Sequence, residues 1–221
     1  MIVKVDFSEL SLDEKKSILR YVQDEPLLRE MVTDDDHTIR YIIAGNIHAP
    51  VDVLEKLALD DDPRIIGVAM SNPRLPNSIR KNYLSSDSLA IRRGIASSPC
   101  IDDDIICYLL NDEDWKVVAD LLGNPQIKSN HIELIFKRIK RFLKSGLCKD
   151  KSKEISIMVV RTTCSTCAGI RTMYYSNYRA IAKCLVKMAA NKKTPPYILK
   201  ELHKNGYEIA AINQNDSPNV G

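Results

Sequence analysis

The chain has 221 residues, 44% of them hydrophobic and 28% charged, with six cysteines, eight glycines and a formal net charge of +3. That composition belongs to a globular protein rather than a disordered or collagenous one, and no run approaches the roughly 18 apolar residues of a membrane span. Met1 to Lys16 is mixed and acidic, unlike a secretory leader, so a soluble cytoplasmic protein with reduced cysteines and no disulfides is expected.

In chain order, residues 1–33 read as degenerate capping helices: Ile18 falls in a first-helix slot, and Leu27, Leu28, Met31 and Val32 in second-helix slots. A 26-residue period then takes over, running from Asn46 to Asn72, Ser98 and Asn124. Pro73, Pro99 and Pro125 follow the last three of these. Ten residues before each lie Asp36, Asp62, Ser88 and Asp114, all good N-cap types. Between cap and Asn run Ile39, Ile65, Ile91 and Val117, then Ile43, Ala69, Ile95 and Leu121, then Ala44, Met70, Ala96 and Leu122. Spacing of i, i+4 and i+5 marks one face of a short helix. Asn, through the left-handed conformation it tolerates, and the following Pro are expected to end it.

A second short helix follows, opened by Pro50 and Pro76 in two copies. Its inward slots are Val53, Ile79 and Ile105; then Leu57, Tyr83, Leu109 and Ile135; then Ala58, Leu84, Leu110 and Phe136. Residues 34–136 are thus four regular helix pairs, and no sustained period-two alternation suggests a sheet. Residues 137–180 read as a basic insertion with one degenerate repeat. Asn191 lies more than two periods beyond Asn124, and 181–221 restores the pattern as C-terminal repeats and cap. A repeat of this size cannot bury its apolar face alone and must stack on its neighbours. The expected fold is therefore all-α, a helical repeat solenoid of about six 26-residue units.

The stretch from Asp36 to Asp60, DHTIRYIIAGNIHAPVDVLEKLALD, resembles the repeat of the leucine-rich repeat variant family of bacterial proteins, a HEAT-like solenoid. Residues 24–136 and 181–218 carry the resemblance. It implies a right-handed superhelix alternating α-helices with shorter 3₁₀-like helices. The family's founding type also carries a cysteine-rich N-terminal iron–sulfur domain. This chain has no cysteine before Cys100, so no cluster function follows.

Charge is unevenly placed. Residues 1–133 hold 15 Lys and Arg against 24 Asp and Glu (−9), whereas residues 134–221 hold 17 against 5 (+12). The repeat accounts for the acidic side, because Asp sits at caps and turns. Nothing in it demands the basic side. Lys137, Arg138, Lys140, Arg141 and Lys144 interleave with Ile135, Phe136, Ile139, Phe142 and Leu143, which makes an amphipathic helix with a cationic face. These five are the candidate partner-binding residues, and the partner expected is an acidic protein, with nucleic acid as the alternative and no membrane. A solvated outer helix face is the competing account.

Cys164 and Cys167 form a C-x-x-C, flanked at nearly equal distances by Cys148 before and Cys184 after. Four thiolates in that arrangement could hold zinc tetrahedrally. One close pair instead of two, and Cys184 in an apolar slot, favour plain helix packing. Cys100 and Cys107 read as reduced core residues, and Trp115 as a packing anchor. Tyr174, Tyr175 and Tyr178, between Arg171 and Arg179, could stack nucleic-acid bases, but packing is favoured. The four histidines show no ligand spacing, and no nucleophile-elbow, phosphate-loop or zinc-protease motif occurs. No cofactor and no catalysis are expected; the functional expectation is a non-catalytic interaction scaffold, with a nucleic-acid-binding helical-repeat module or a cysteine-ligated metal or cluster regulatory protein as the alternatives.

Overall fold

The computed structural model describes residues 7–144 and 171–204, with side chains except at 8, 143, 144 and 171–178. All regular structure among the described residues is helical, and no strand occurs there. Two compact units divide the chain, Met1–Ile105 and Ile106–Gly221.

The first unit holds a 3₁₀ turn at Phe7–Glu9 and helices α1 (Leu12–Leu19), α2 (Glu25–Met31), α3 (His37–Gly45), α4 (Val51–Leu57), α5 (Pro63–Ser71), α6 (Asn77–Lys81) and α7 (Leu89–Ser97). The division falls within α8 (Asp103–Leu109). Each repeat begins with a short polar device. Asp34 Oδ1 accepts the Asp36 amide at 2.8 Å, and Asp36 Oδ1 accepts the Thr38 amide at 2.7 Å. Asp60 and Asp62 repeat both bonds, to the Asp62 and Arg64 amides. One carboxylate closes the turn and the next caps the helix, satisfying amides that helix geometry leaves orphaned. At the third copy Ser86 Oγ closes the turn at 3.3 Å, but Ser88 keeps only the backbone form of a cap and makes no capping hydrogen bond with its side chain.

The first-helix slots are filled as expected: Ile39, Ile65 and Ile91 are 1%, 0% and 5% exposed, and Ile43, Ala69 and Ile95 are fully buried. Helix ends depart from expectation. Asn46, Asn72 and Ser98 take φ near −70° and ψ near +125°, extended rather than left-handed. A proline after Asn72 and Ser98 enforces this, since its ring clashes with a helical preceding residue. The Asn side chain has a different task. Asn72 Nδ2 donates to Ala44 O at 2.9 Å and Asn46 O at 2.8 Å, one repeat earlier, while its Oδ1 accepts the Arg74 amide. Asn46 does the same toward Leu19 O and Val22 O. These are rungs of a buried asparagine ladder that ties each break to the one before.

The second helices are short α-helices, not 3₁₀ segments. Val53 and Leu57 are buried as predicted, but α6 departs from the pattern: Ile79, Tyr83 and Leu84 are half-buried, and Arg80 is fully buried. Arg80 stands one period after Leu54. Its guanidinium donates to Met70 O, Leu75 O and Asn72 O and to Asn77 Oδ1, so carbonyls rather than a carboxylate satisfy it. The sequence pattern also missed a row three residues after each break: Ala49, Leu75 and Ile101 are all at most 4% exposed. At the N-terminus Leu19 is buried and Ile18 only half-buried, so the capping helix is turned by one residue from the expected slot. Helices α5 and α7 touch closely enough that a Cβ on Gly67 would lie 2.7 Å from Ala90 O, and one on Gly94 would sit on Gly67 O.

The second unit holds α9 (Trp115–Leu121), α10 (Ser129–Lys144), α11 (Arg171–Ala190) and α12 (Pro196–Lys204). Asp112 closes the turn and Asp114 caps α9, as in the first unit. Asn191 Nδ2 donates to Leu122 O at 3.2 Å, the rung that Asn72 makes to Ala44. Lys187 Nζ reaches Ala119 O, and Lys193 Nζ reaches Pro125 O and Ile127 O. The pair α11–α12 therefore stacks directly on α9–α10. The expected degenerate repeat within 137–180 does not stand between them. The stretch from Asn124 to Asn191 is one period of the ladder lengthened by an insertion longer than a period itself.

Candidate partner-binding surface

Helix α10 buries one stripe and opens another. Ile132, Ile135, Phe136 and Ile139 are at most 6% exposed. Their successive steps of three, one and three positions wind along one side of a helix. The five candidate cations lie off that stripe, and they do not share one fate. Lys137 and Arg141 are exposed. Arg138 is turned back onto the protein: its guanidinium lies 4.3 Å over the Trp115 ring and donates to Leu110 O and Asp112 O at 2.7 and 2.6 Å. Desolvation lowers its pKa, with the Asp112 charge opposing, and an arginine begins high enough to stay charged. Arg138 is thus a packing and turn-clamping residue, not an outward contact. Trp115, 2% exposed and edge-on to Phe142 at 5.8 Å, is the anchor the sequence suggested.

Lys140 is half-buried between roles. Its ammonium lies 5.5 Å from the Phe136 ring centre and bonds Glu201 of α12 at 2.8 Å. With both partners more than a third exposed, that pair adds little stability; its use is to mark where the two helices run side by side. Lys144 is the last residue of α10, and its side chain lies outside those described.

The other end of the α10–α12 contact is fixed by Ser129 Oγ, which donates to Lys193 O at 2.7 Å. Residue 129 thus meets 193 and 140 meets 201, so the helices run in the same direction, with sequence offsets of 64 and 61 at the two ends. Sequence reading missed what α12 contributes. Tyr197 is 51% exposed, and Lys200 and Lys204 are exposed at i+3 and i+7 from it. On α10, Leu134 is 48% exposed, with Lys137 and Arg141 at the same two offsets. The repeated spacing of one apolar residue and two cations was legible in the sequence once both segments were treated as helices of equal standing. Tyr197 lies beside Glu133 and Glu201; desolvation first, then these carboxylates, raise its phenol pKa.

Of the candidate metal ligands, Cys148, Cys164 and Cys167 lie outside the described residues. Cys184 is fully buried on α11, with its sulfur 3.7 Å from Trp115 O. Burial pushes its thiol up to about 12, which keeps it protonated at neutral pH, the condition of a packed thiol. Cys100 and Cys107, read from the sequence as core, are both exposed. Cys107 lies two residues after the buried Ile105, about 200° round the helix and so on its far side. The aromatic side chains of Tyr174, Tyr175 and Tyr178 lie outside those described.

No protein-family model matches the chain, and neither a curated protein nor a solved structure does. Among the described residues, no helix is long and apolar enough to cross a membrane.

Proposed function

We propose that the chain is a non-catalytic interaction scaffold, a helical-repeat protein whose second unit receives an acidic protein. The excess of cations along α10 and from residue 171 onward carries the reading. Across residues 134–144 and 171–204 there are thirteen Lys and Arg and one carboxylate, Glu201. Some of these cations clamp backbone carbonyls, as Arg138, Lys187 and Lys193 do. Lys137, Arg141, Lys200 and Lys204 are exposed instead, and no described carboxylate forms an ion pair with them. Cations held close together repel one another, and an acidic partner relieves that repulsion. The fixed period and its asparagine rungs support the solenoid reading.

The test is capture from a lysate of the source cell on the immobilised full chain, with stepped salt, with and without nuclease. An acidic protein retained after nuclease treatment, eluted by moderate salt and lost from Lys137→Glu/Arg141→Glu, is the expected outcome. Capture that vanishes with nuclease would mean a nucleic-acid partner. Capture unchanged both in the double variant and in Lys200→Glu/Lys204→Glu would move the contact to the repeat surface of the first unit.

A further inference from the structure

The side-by-side run of α10 and α12 says more about the partner than net charge does. The sequence offset is 64 at Ser129–Lys193 and 61 at Lys140–Glu201. An offset that falls from 64 to 61 along the contact sets Leu134 near the level of Tyr197 and Lys137 near that of Lys200, with Arg141 and Lys204 beyond them on the two helices. The two helices thus offer an exposed apolar pair at one end and four cations beyond it. Glu133 and Glu201 sit along the line between the helices, where Lys140 meets Glu201 and Tyr197 meets both carboxylates.

We propose that this α10–α12 face binds an acidic amphipathic segment of a partner protein, with an aliphatic or aromatic side chain of that segment seated on Leu134 and Tyr197 and its carboxylates on the flanking cations. The inference rests on the scaffold reading above and narrows it to one surface and one ligand chemistry. Two observations separate a peptide from a nucleic acid. A polynucleotide carries a charge at every residue of its backbone and cannot leave a stretch uncharged, so Glu133 and Glu201 oppose it wherever it crosses the junction. A peptide places its carboxylates discretely and can set uncharged residues over those two glutamates. The exposed Leu134 also offers nothing to a phosphate, whereas it adds apolar area to a peptide contact.

The experiment uses the full chain and three labelled probes read by fluorescence anisotropy across a salt series. One is a peptide of about sixteen residues with Leu at helical spacing among Glu; the second is an all-Glu peptide of equal length; the third is an oligo-dT of matched charge. The mixed peptide is expected to bind at least about tenfold tighter than either other probe, and Leu134→Ala to remove about tenfold from the mixed peptide alone. Lys137→Gln/Lys200→Gln is expected to weaken both peptides and flatten their salt dependence. All substituted side chains are exposed, and an unchanged melting temperature confirms that the variants fold. Oligo-dT binding tighter than the mixed peptide, or a Leu134→Ala variant indistinguishable from the parent, overturns this inference while leaving an acidic partner elsewhere on the second unit open to the capture test. A chain that binds none of the three at low salt overturns the inference and the cationic-surface reading together.

Discussion

Asn72 offers the sharpest test of how the repeats are joined. Replacing it by Ala removes two buried donations, to Ala44 O at 2.9 Å and Asn46 O at 2.8 Å. Ala44 O loses this bond outright, while Asn46 O keeps the Ala49 amide at 3.1 Å. An unsatisfied buried acceptor costs about 1–3 kcal/mol, and a lost but partly replaced bond about 1, so the expected loss is about 2–4 kcal/mol. That is a large share of the roughly 5–15 kcal/mol that holds a domain together. Asn72→Asp keeps the shape and removes the donor. Its carboxylate would face two carbonyls, so its folded pKa should lie above the unfolded value. A group raised in this way binds more protons when folded, so the variant's deficit should be smaller near pH 3 and grow as pH rises from the unfolded carboxylate value up through the higher folded one. Because the two units need not melt together, the change is best read from hydrogen exchange of α3 and α5 amides, not from one melting curve. A loss below about 1 kcal/mol in Asn72→Ala, or a pH-independent deficit in Asn72→Asp, would refute the ladder as a source of stability.

Three further outcomes are expected. Gly94→Ala and Gly67→Ala should lower the melting temperature, because each new methyl meets backbone of the facing helix. Gly45→Ala should raise it slightly, since its Cβ would meet only Val68 Cγ1 at 3.5 Å and helix propensity favours Ala; equal effects at all three sites would contradict the α5–α7 contact. Arg64, through its guanidinium and then its amide, holds the Asp62 carboxyl down at about 2 from its ordinary 3.8, so this contribution to stability is full above pH 4 and lost as pH falls from about 4 to about 2. Asp62→Asn should flatten the acid limb there, and an unchanged limb would count against the cap. In thiol labelling followed residue by residue, Cys100 and Cys107 should react in the native protein and Cys184 only on unfolding, in line with its burial and its thiol near 12; rapid native labelling of Cys184 would contradict the α9–α11 packing.

The sequence by itself determined the elements and the apolar rows of the first helices. A cap at Asp36, Ile39 three residues on, Ile43 and Ala44 beyond, and a break at Asn46 are local signals, and repetition at one fixed period multiplied each one. Those rows are buried where the spacing put them. What only the tertiary structure decided concerns groups whose partner is distant along the chain or lies in the next repeat. Local pattern marked Asn72 as a helix stop, but its amide matters because stacking brings Ala44 O and Asn46 O within reach. Arg80 occupies a slot filled by Leu54 one repeat earlier, and only the assembled loop supplies enough carbonyls to bury a guanidinium there. The five cations of α10 look equivalent in sequence. Stacking sends Arg138 onto Trp115 and Lys140 to Glu201 and leaves Lys137 and Arg141 to solvent. The long insertion before α11 likewise hid that Asn191 continues the ladder from Leu122, because a rung depends on distance in space and not on the length of chain between its ends.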